Sequence, residues 1–204
     1  YNEDTTFEEI VSLYLFNANF RQLVFPQIEK VEINVRCRVS NYFAEQYGAL
    51  GLLQCENFAD DIYHSEFLND MRLEIGRNSK SPFVRNFREH YEGGKLPIYA
   101  IVELFSFGTL SKFYKNMINK DKKAVAKTFG VGYTYFESWL ESIAYVRNIC
   151  AHYGRLYNAK LTKTPILYKE YTQSGISNNR IYGVLLCLKH LLITDAHWKA
   201  IVDD

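Results

Sequence analysis

The six residues from Arg147 to His152 have the types and spacing that could cleave RNA. A neutral imidazole such as that of His152 can accept a hydroxyl proton near pH 7, because its ordinary pKa is about 6.5. The Arg147 guanidinium is always charged, and its fork matches the oxygens of a phosphate in a phosphorane-like transition state. Asn148 can orient either group. Together they suit attack of a ribose 2′-hydroxyl on the adjacent phosphate. We expect no metal or other cofactor, since the sequence offers no convincing carboxylate cluster to hold an ion.

The spacing of Arg and His is not specific by itself, because Arg85 to His90 repeats it. That copy lies in a short charged segment between Pro82 and Gly93 and is typical of a solvated helix face. The later copy ends a long helix, which is the kind of rigid mount that an active site needs. A histidine at a helix end can also be only a favourable charge near the C-terminal dipole. Its position at the end of a long helix therefore favours Arg147 to His152, rather than the earlier copy, as the candidate active site.

The helix that carries this motif is predicted from Tyr133 to about His152, a stretch without Pro or Gly. Its apolar residues recur at i, i+4, i+7 and i+11 and predict one buried stripe. The stripe consists of Trp139, Ile143, Val146 and Cys150. At about 100° per residue, the opposite side carries Glu141, Tyr145, Asn148 and His152. We expect that side to bind a ligand or to meet another subunit.

Other periodic segments predict an all-α fold, with no alternating pattern that indicates a strand. Thr6 is the expected N-cap of the first helix, and Pro26 predicts either two helices or one kinked helix before Gly48. Gly108 is expected to break an apolar helix before a Lys-rich one starts at Thr109 or Ser111. The remaining predicted helices and loop are Phe58–Ile75, a short helix opened by Ser81-Pro82 and stopping before Gly93-Gly94, Ile98–Phe105, the loop Thr172–Asn179, and Ile181–Ile193.

Composition bounds the class of protein. Of 204 residues, 48% are apolar and 23% are charged, which predicts a single folded domain over residues 1–204 rather than a disordered or membrane protein. No signal peptide or membrane span is evident, so we expect a cytoplasmic location. The four cysteines are expected to be free thiols. Because residue 1 is Tyr rather than Met, we expect a preceding segment in the natural protein.

A positive segment gives a second candidate for contact with RNA, since the net charge of +1 requires any attraction to be local. Its cations are Lys112, Lys115, Lys120, Lys122, Lys123 and Lys127, with Phe113 and Tyr114 between them. They could track an RNA backbone while the aromatic rings stack on bases. A soluble Lys-rich helix and turn explains the same pattern equally well.

Five further residues are expected to support the site rather than to react. Glu103 and Ser106 lie in an otherwise apolar helix, where a buried carboxylate needs a partner such as Arg36 or Arg147. The other three are Tyr145, Arg155 and Asn158.

Three blocks of sequence in order resemble the Abi-type abortive infection proteins, of the AbiD and AbiF kind, whose R-N-x-x-A-H motif is that of HEPN domains. The blocks are Arg147–His152 with Gly154-Arg155-Leu156 and Asn158, Leu96–Tyr114, and Glu29–Arg36. The resemblance spans about Thr5 to Asn158. It implies a HEPN-like helical core over roughly residues 5–160 with further C-terminal helices, and it places the family's catalytic residues on Arg147, Asn148 and His152.

The same resemblance implies a metal-independent endoribonuclease, a homodimer that joins two motifs across a cleft, and toxin-like action in phage defence. An RNA or protein antitoxin is a possible further partner. Relatives of this kind carry another helical segment before the matched region. Two alternatives stay open: a non-catalytic RNA-binding or regulatory module, and a dimeric interaction scaffold that does not touch RNA.

Overall fold

The computed structural model describes residues 6–193, and helices supply its regular structure. No strand forms within this range, where the β-type pairing is one isolated bridge between Phe58 and Met117, so the all-α prediction is confirmed. Residues 1–5 and 194–204 of the predicted domain lie outside the described residues. The helices are α1 (Phe7–Tyr47), α2 (Asp61–Arg77), α3 (Pro82–His90), α4 (Ile98–Ile101), α5 (Phe107–Asn116), α6 (Asn119–Thr128), α7 (Tyr133–Ala151), α8 (Lys169–Gln173) and α9 (Ile181–Ile193).

Helix α1 is one continuous helix of 41 residues that contains Pro26. It begins with a capping box, since the backbone N–H of Glu9 donates to Thr6 Oγ1 and the Thr6 N–H donates to the Glu9 carboxylate. Pro26 is exposed, while Val24 and Ile28 on either side of it are buried. Burial on both sides of the proline offsets the roughly 3 kcal/mol that an interior proline costs a helix. Of the two arrangements that Pro26 left open, two helices or one kinked helix, the structure therefore excludes the two separate helices.

The chain forms two compact units, to which α1 and α7 each contribute. We call residues 1–31 with 138–204 the motif unit, because it contains Arg147 to His152, and residues 32–137 the middle unit.

The middle unit has an aromatic core. Phe113 lies 5.1 Å from Phe43 and 5.2 Å from Phe67, measured between ring centroids, and Phe58 and Phe105 complete the cluster. The two helices predicted for residues 58–92 of this unit form as α2 and α3, and Asp60 caps α2 by accepting from the N–H of Tyr63 at 2.9 Å.

The break predicted at Gly108, between the apolar helix and the Lys-rich one, comes two residues earlier, at Phe105-Ser106. Helix α5 begins one residue before Gly108, because Ser106 caps it by accepting from the N–H of Thr109 at 3.1 Å. A glycine in the first turn does not stop a helix that has a good N-cap. A second break, at Met117-Ile118, divides the Lys-rich run into α5 and α6 and was not predicted.

The motif unit is built around α7 and α9, the latter with the predicted bounds. Trp139 is 1% exposed, and its indole N–H donates to the carbonyl oxygen of Ile166 at 2.7 Å. The rings of Tyr168 and His190 meet the indole edge-on at 5.3 and 5.4 Å. A buried Trp with a satisfied N–H fixes α7 firmly in this unit.

Candidate functional site

Helix α7 presents the motif at its C-terminal end. Asn148 lies in the last turn, directly after Arg147, and His152 follows the last helical residue, with its N–H still donating to the Asn148 carbonyl at 3.0 Å. Asn148 and His152 are exposed, whereas Arg147 is half-buried. An imidazole and an amide are thus open to a ligand beside a partly enclosed guanidinium.

The two faces of α7 are as the periodicity predicts. The stripe of Trp139, Ile143, Val146 and Cys150 is buried, with no member more than 7% exposed. On the other side, Glu141 and Tyr145 are half-buried and lead to the exposed Asn148 and His152. The Glu141 carboxylate forms a salt bridge with the Lys163 ammonium at 2.7 Å, which joins this face of α7 to the segment that follows the motif.

Arg147 is held against α1. Its guanidinium carbon lies 5.7 Å from the centroid of the Phe25 ring, within the range of a cation–π contact, and its Nε atom is buried. A guanidinium fixed by a ring loses less side-chain entropy when it binds a phosphate.

A Schellman motif ends α7 directly after His152. The N–H of Gly154 donates to the Ile149 carbonyl at 2.8 Å, and the N–H of Tyr153 donates to the Cys150 carbonyl at 3.2 Å. Tyr153 adopts the left-handed conformation with φ of 58°, a position that glycine usually fills. Its ring is 83% exposed beside His152. The end of α7 thereby places the exposed Tyr153 directly after His152.

Two polar residues of α1 hold the loop after His152. Arg21 Nη1 donates to the Gly154 carbonyl at 3.0 Å, and Asn17 Oδ1 accepts from the N–H groups of Leu156 and Tyr157 at 3.2 and 3.0 Å. Both side chains are almost fully buried, at 8% and 6% exposure. They act as positioning residues for the loop.

Sequence reasoning did not find Asn17 and Arg21. A signal for them exists, because they occupy positions 17 and 21 of the buried stripe that continues with Val24, Ile28 and Val31. Polar residues inside an otherwise apolar stripe need hydrogen-bond partners.

The sequence after the motif has structural contacts of its own. Asn158 is also left-handed, with φ of 53°, and both its backbone and side-chain oxygens accept from Arg180 Nη1 at 2.8 and 3.1 Å. Arg155 is exposed, and its Nε donates to the Tyr157 carbonyl at 2.9 Å. Asn158 therefore shapes the loop, and Arg155 contributes a hydrogen bond to it while remaining exposed.

Glu103 and Ser106, the other expected supporting residues, belong to the middle unit. Glu103 is exposed and so needs no buried partner. Arg36, one of the partners suggested for it, instead pairs with Glu32 at 2.7 Å and donates to the carbonyls of Val102 and Phe105. Ser106 has a defined structural role as the N-cap of α5.

The Lys-rich segment forms the end of α5 and most of α6, and its lysines differ in exposure. Lys122 is buried, and its ammonium donates to the Glu137 carboxylate at 3.0 Å and to the Lys115 carbonyl at 3.2 Å. An ammonium held in this way is not available to a phosphate backbone, which corrects the inclusion of Lys122 in an RNA-binding surface. The exposed lysines are Lys112, Lys115, Lys120, Lys123 and Lys127.

The repeated motif copy lies on the exposed side of α3. Arg85 and His90 are both exposed, and Nδ1 of His90 lies 3.0 Å from the Asn86 carbonyl within the same short helix. Unlike the end of α7, this segment has no long helix behind it, since α3 spans nine residues. The structure therefore agrees with its interpretation as a solvated face.

Residues 6–193 also bear on metal binding, membrane spans and the thiol within the motif. No group of three or more His, Cys, Asp or Glu side chains there is arranged to hold a metal ion, and no helix there is long and apolar enough to cross a membrane. Burial raises the pKa of the Cys150 thiol to about 11, although Arg21 opposes this shift. Cys150 therefore remains a protonated core residue at neutral pH despite its place within the motif.

Comparison with known families identifies the chain. Searches among curated proteins and solved structures gave no significant match. The family model described as Abi-like protein matches residues 1–158, which include α7, the motif and the loop that ends at Asn158. The chain therefore belongs to the Abi-like protein family.

Proposed function

We propose that this protein is a dimeric, metal-independent endoribonuclease that acts in abortive infection of phage-attacked cells. Membership of the Abi-like family supports the defence role. The observation that carries the enzymatic part is the end of α7, where an exposed imidazole and amide adjoin a ring-supported guanidinium on a helix whose other face is buried.

In the proposed reaction, His152 takes the proton from a ribose 2′-hydroxyl. The 2′-oxygen then bonds to the adjacent phosphorus, and the bond from phosphorus to the 5′-oxygen breaks. The leaving oxygen takes up a proton from an imidazolium of the site, so protons balance over one turnover. Arg147 stabilises the charge that develops on the phosphoryl oxygens, and Asn148 orients the reacting groups. The products are a 2′,3′-cyclic phosphate and a 5′-hydroxyl end.

Tyr153 provides a surface for RNA beside the reacting groups. Sequence-tolerant RNA binding commonly stacks unpaired bases on aromatic rings, and the ring of Tyr153 is 83% exposed next to His152. Single-stranded or loop RNA is therefore the proposed substrate, since paired bases are not free to stack in this way.

The test compares His152→Ala and Arg147→Ala with the unaltered protein on a labelled single-stranded RNA. We expect cleavage to fall by at least about 100-fold in each, the loss typical when a general base or a charge-stabilising group is removed, with folding unchanged by circular dichroism. His90→Ala is the matched control, because it removes the histidine of the exposed copy. Cleavage should persist in excess EDTA.

Full activity in folded His152→Ala protein would contradict the proposal. Salt-dependent binding of RNA that stays intact at high protein concentration would instead favour a non-catalytic RNA-binding module. Absence of RNA affinity would favour an interaction scaffold.

A further inference from the structure

The middle unit contains a cavity that the proposed RNA chemistry does not use. Its volume is about 290 Å³, and it lies among α2, the end of α3 and the segment that leads into α4. Four aliphatic side chains line it: Leu53, Met71, Ile75 and Leu96. All four are buried or half-buried, so the inner wall of the cavity is apolar. The wall contains no aromatic ring.

Gly94 and three cations complete the lining, and each cation comes from a different element: Arg72 from α2, Arg88 from α3, and Lys95 from the segment before α4. All three are exposed, and no carboxylate is among the lining residues. Among the described side chains none forms a salt bridge with them, and Arg72 donates only to the Asn69 amide oxygen, at 3.0 Å. Like charges gathered around one cavity repel one another, which a bound anion relieves.

A turn of the backbone brings Lys95 to the cavity. Gly93 and Gly94 both adopt positive φ, at 67° and 61°, and the Gly94 N–H donates to the Tyr91 carbonyl at 2.9 Å. This turn folds back on α3, since a Cβ added at Gly94 would lie 3.7 Å from the Arg88 backbone. The turn therefore places Lys95 beside Arg88 at the cavity.

We propose that this cavity binds a small phosphomonoester with an aliphatic group. Two guanidinium forks and an ammonium suit a dianion with three equivalent oxygens better than a carboxylate. The aliphatic wall takes an alkyl group. The volume is at the lower end of the roughly 300–1,000 Å³ typical of small-molecule sites, which favours a short chain.

The test is calorimetric titration of the full chain with hexyl phosphate, butyl phosphate, inorganic phosphate and adenosine 5′-monophosphate. We expect hexyl phosphate to bind tightest and butyl phosphate about 15-fold more weakly, since each of the two additional buried methylenes contributes roughly fourfold. Affinity should fall with salt. Adenosine monophosphate should bind more weakly than hexyl phosphate, because the lining has no aromatic ring to stack on a base.

Matched variants test the cations and the aliphatic wall of the cavity separately. Arg88→Gln should weaken hexyl phosphate binding at least roughly tenfold, whereas Arg85→Gln, on the same helix but outside the lining, should leave it unchanged. Ile75→Ser should reduce the preference for hexyl over inorganic phosphate. Arg147→Ala should bind normally, so this inference and the proposed nuclease can fail separately.

Three outcomes would overturn the inference: no binding of hexyl phosphate to the folded protein, equal affinity in the Arg88→Gln and Arg85→Gln variants, or affinity for hexyl phosphate no greater than for inorganic phosphate. Tighter binding of adenosine monophosphate that Arg88→Gln weakens and Arg147→Ala does not would also overturn it, since the occupant of this cavity would then be a nucleotide.

Discussion

A Cβ atom at Gly154 would lie 2.8 Å from Cγ2 of Ile149 and 3.2 Å from the Ile149 carbonyl oxygen. Glycine is therefore favoured at position 154 because any side chain there would clash with Ile149. The residue in the left-handed conformation is not Gly154 but its neighbour Tyr153. Ile149 is β-branched and lies within α7, so its side chain has little freedom to move aside. The carbonyl of Gly154 is also the acceptor for Arg21.

We predict that Gly154→Ala lowers the free energy of unfolding by about 1–3 kcal/mol, the usual cost of overpacking, and reduces cleavage by displacing His152. Urea denaturation and the RNA assay measure the two effects. Gly108→Ala is the control, because its Cβ would approach only Ser106 Oγ, at 3.6 Å. Equal stabilities of the two variants would show that the approach to Ile149 is not a constraint.

Tyr153 supports a second prediction on single residues. Tyr153→Gly should raise the free energy of unfolding by about 0.5–1 kcal/mol, because glycine adopts positive φ without the Cβ penalty. The same variant should bind single-stranded RNA more weakly, since it lacks the exposed ring. Denaturation and filter binding test these opposite effects, and unchanged RNA affinity would remove Tyr153 from the proposed surface.

At the scale of elements, the N-terminal part of α1 and the loop after α7 are joined through Asn17. Asn17→Ala leaves two backbone N–H groups without their acceptor, and we predict a loss of about 2–3 kcal/mol in unfolding free energy. Asn17→Asp keeps an acceptor oxygen and should lose less. If the two variants are equally stable, the hydrogen bonds to Leu156 and Tyr157 do not hold the loop.

Helices α1 and α6 are joined in the middle unit by a buried carboxylate. Tyr42 and Tyr47 donate their hydroxyl groups to Asp121 at 2.9 and 2.5 Å, and Asp121 is fully buried. Burial raises the pKa of both phenols, with the hydrogen bonds to Asp121 and its charge adding to the effect; the pKa of Tyr42 reaches about 12. The protonated phenols are therefore favoured by folding.

A raised pKa of this kind stabilises the fold below the ordinary tyrosine value of about 10, and the contribution disappears as pH rises through the folded value. We predict that between pH 9 and 12 the unaltered protein loses more stability than the Tyr42→Phe, Tyr47→Phe double variant. At pH 7 the double variant should be the less stable, because Asp121 has lost two donors. Parallel stability curves over pH 9–12 would contradict this assignment.

These elements also indicate what the sequence could predict. The buried stripe of α7 and the bounds of α9 follow from local periodicity, and the exposure of Asn148 and His152 follows from their place opposite that stripe. The contacts of Asn17 and Arg21 with the motif loop do not, because they join residues more than 130 positions apart. Pro26 left two helices and one kinked helix open, and local sequence did not decide between them. The pairing of Lys122 with Glu137 could not be predicted from the Lys-rich run, because it joins α6 to α7.

At the scale of the whole molecule, the near-neutral net charge of +1 gives little general attraction to RNA. For the proposed nuclease, local surfaces have to supply this attraction, and the proposed dimer would double them by placing two motif faces together. Asn148 and His152 lie on one exposed side of α7, so the same patch can meet its own copy about a two-fold axis. On such an axis, His152 of one copy would act with Arg147 of the other.

This arrangement predicts complementation between inactive proteins. When His152→Ala and Arg147→Ala chains are co-expressed, about half of the dimers contain one of each, and every such dimer has one half-site with both residues intact. We expect about a quarter of the unaltered cleavage rate, with none from either variant alone. Adding Asn148→Ala to the His152→Ala chain tests whether Asn148 acts with the Arg147 of its own chain. If it does, the mixture that contains this double variant should lose the restored activity. If the mixture is no more active than the variants alone, although ultracentrifugation shows mixed dimers, the shared half-site is excluded and each copy must use its own Arg147 and His152.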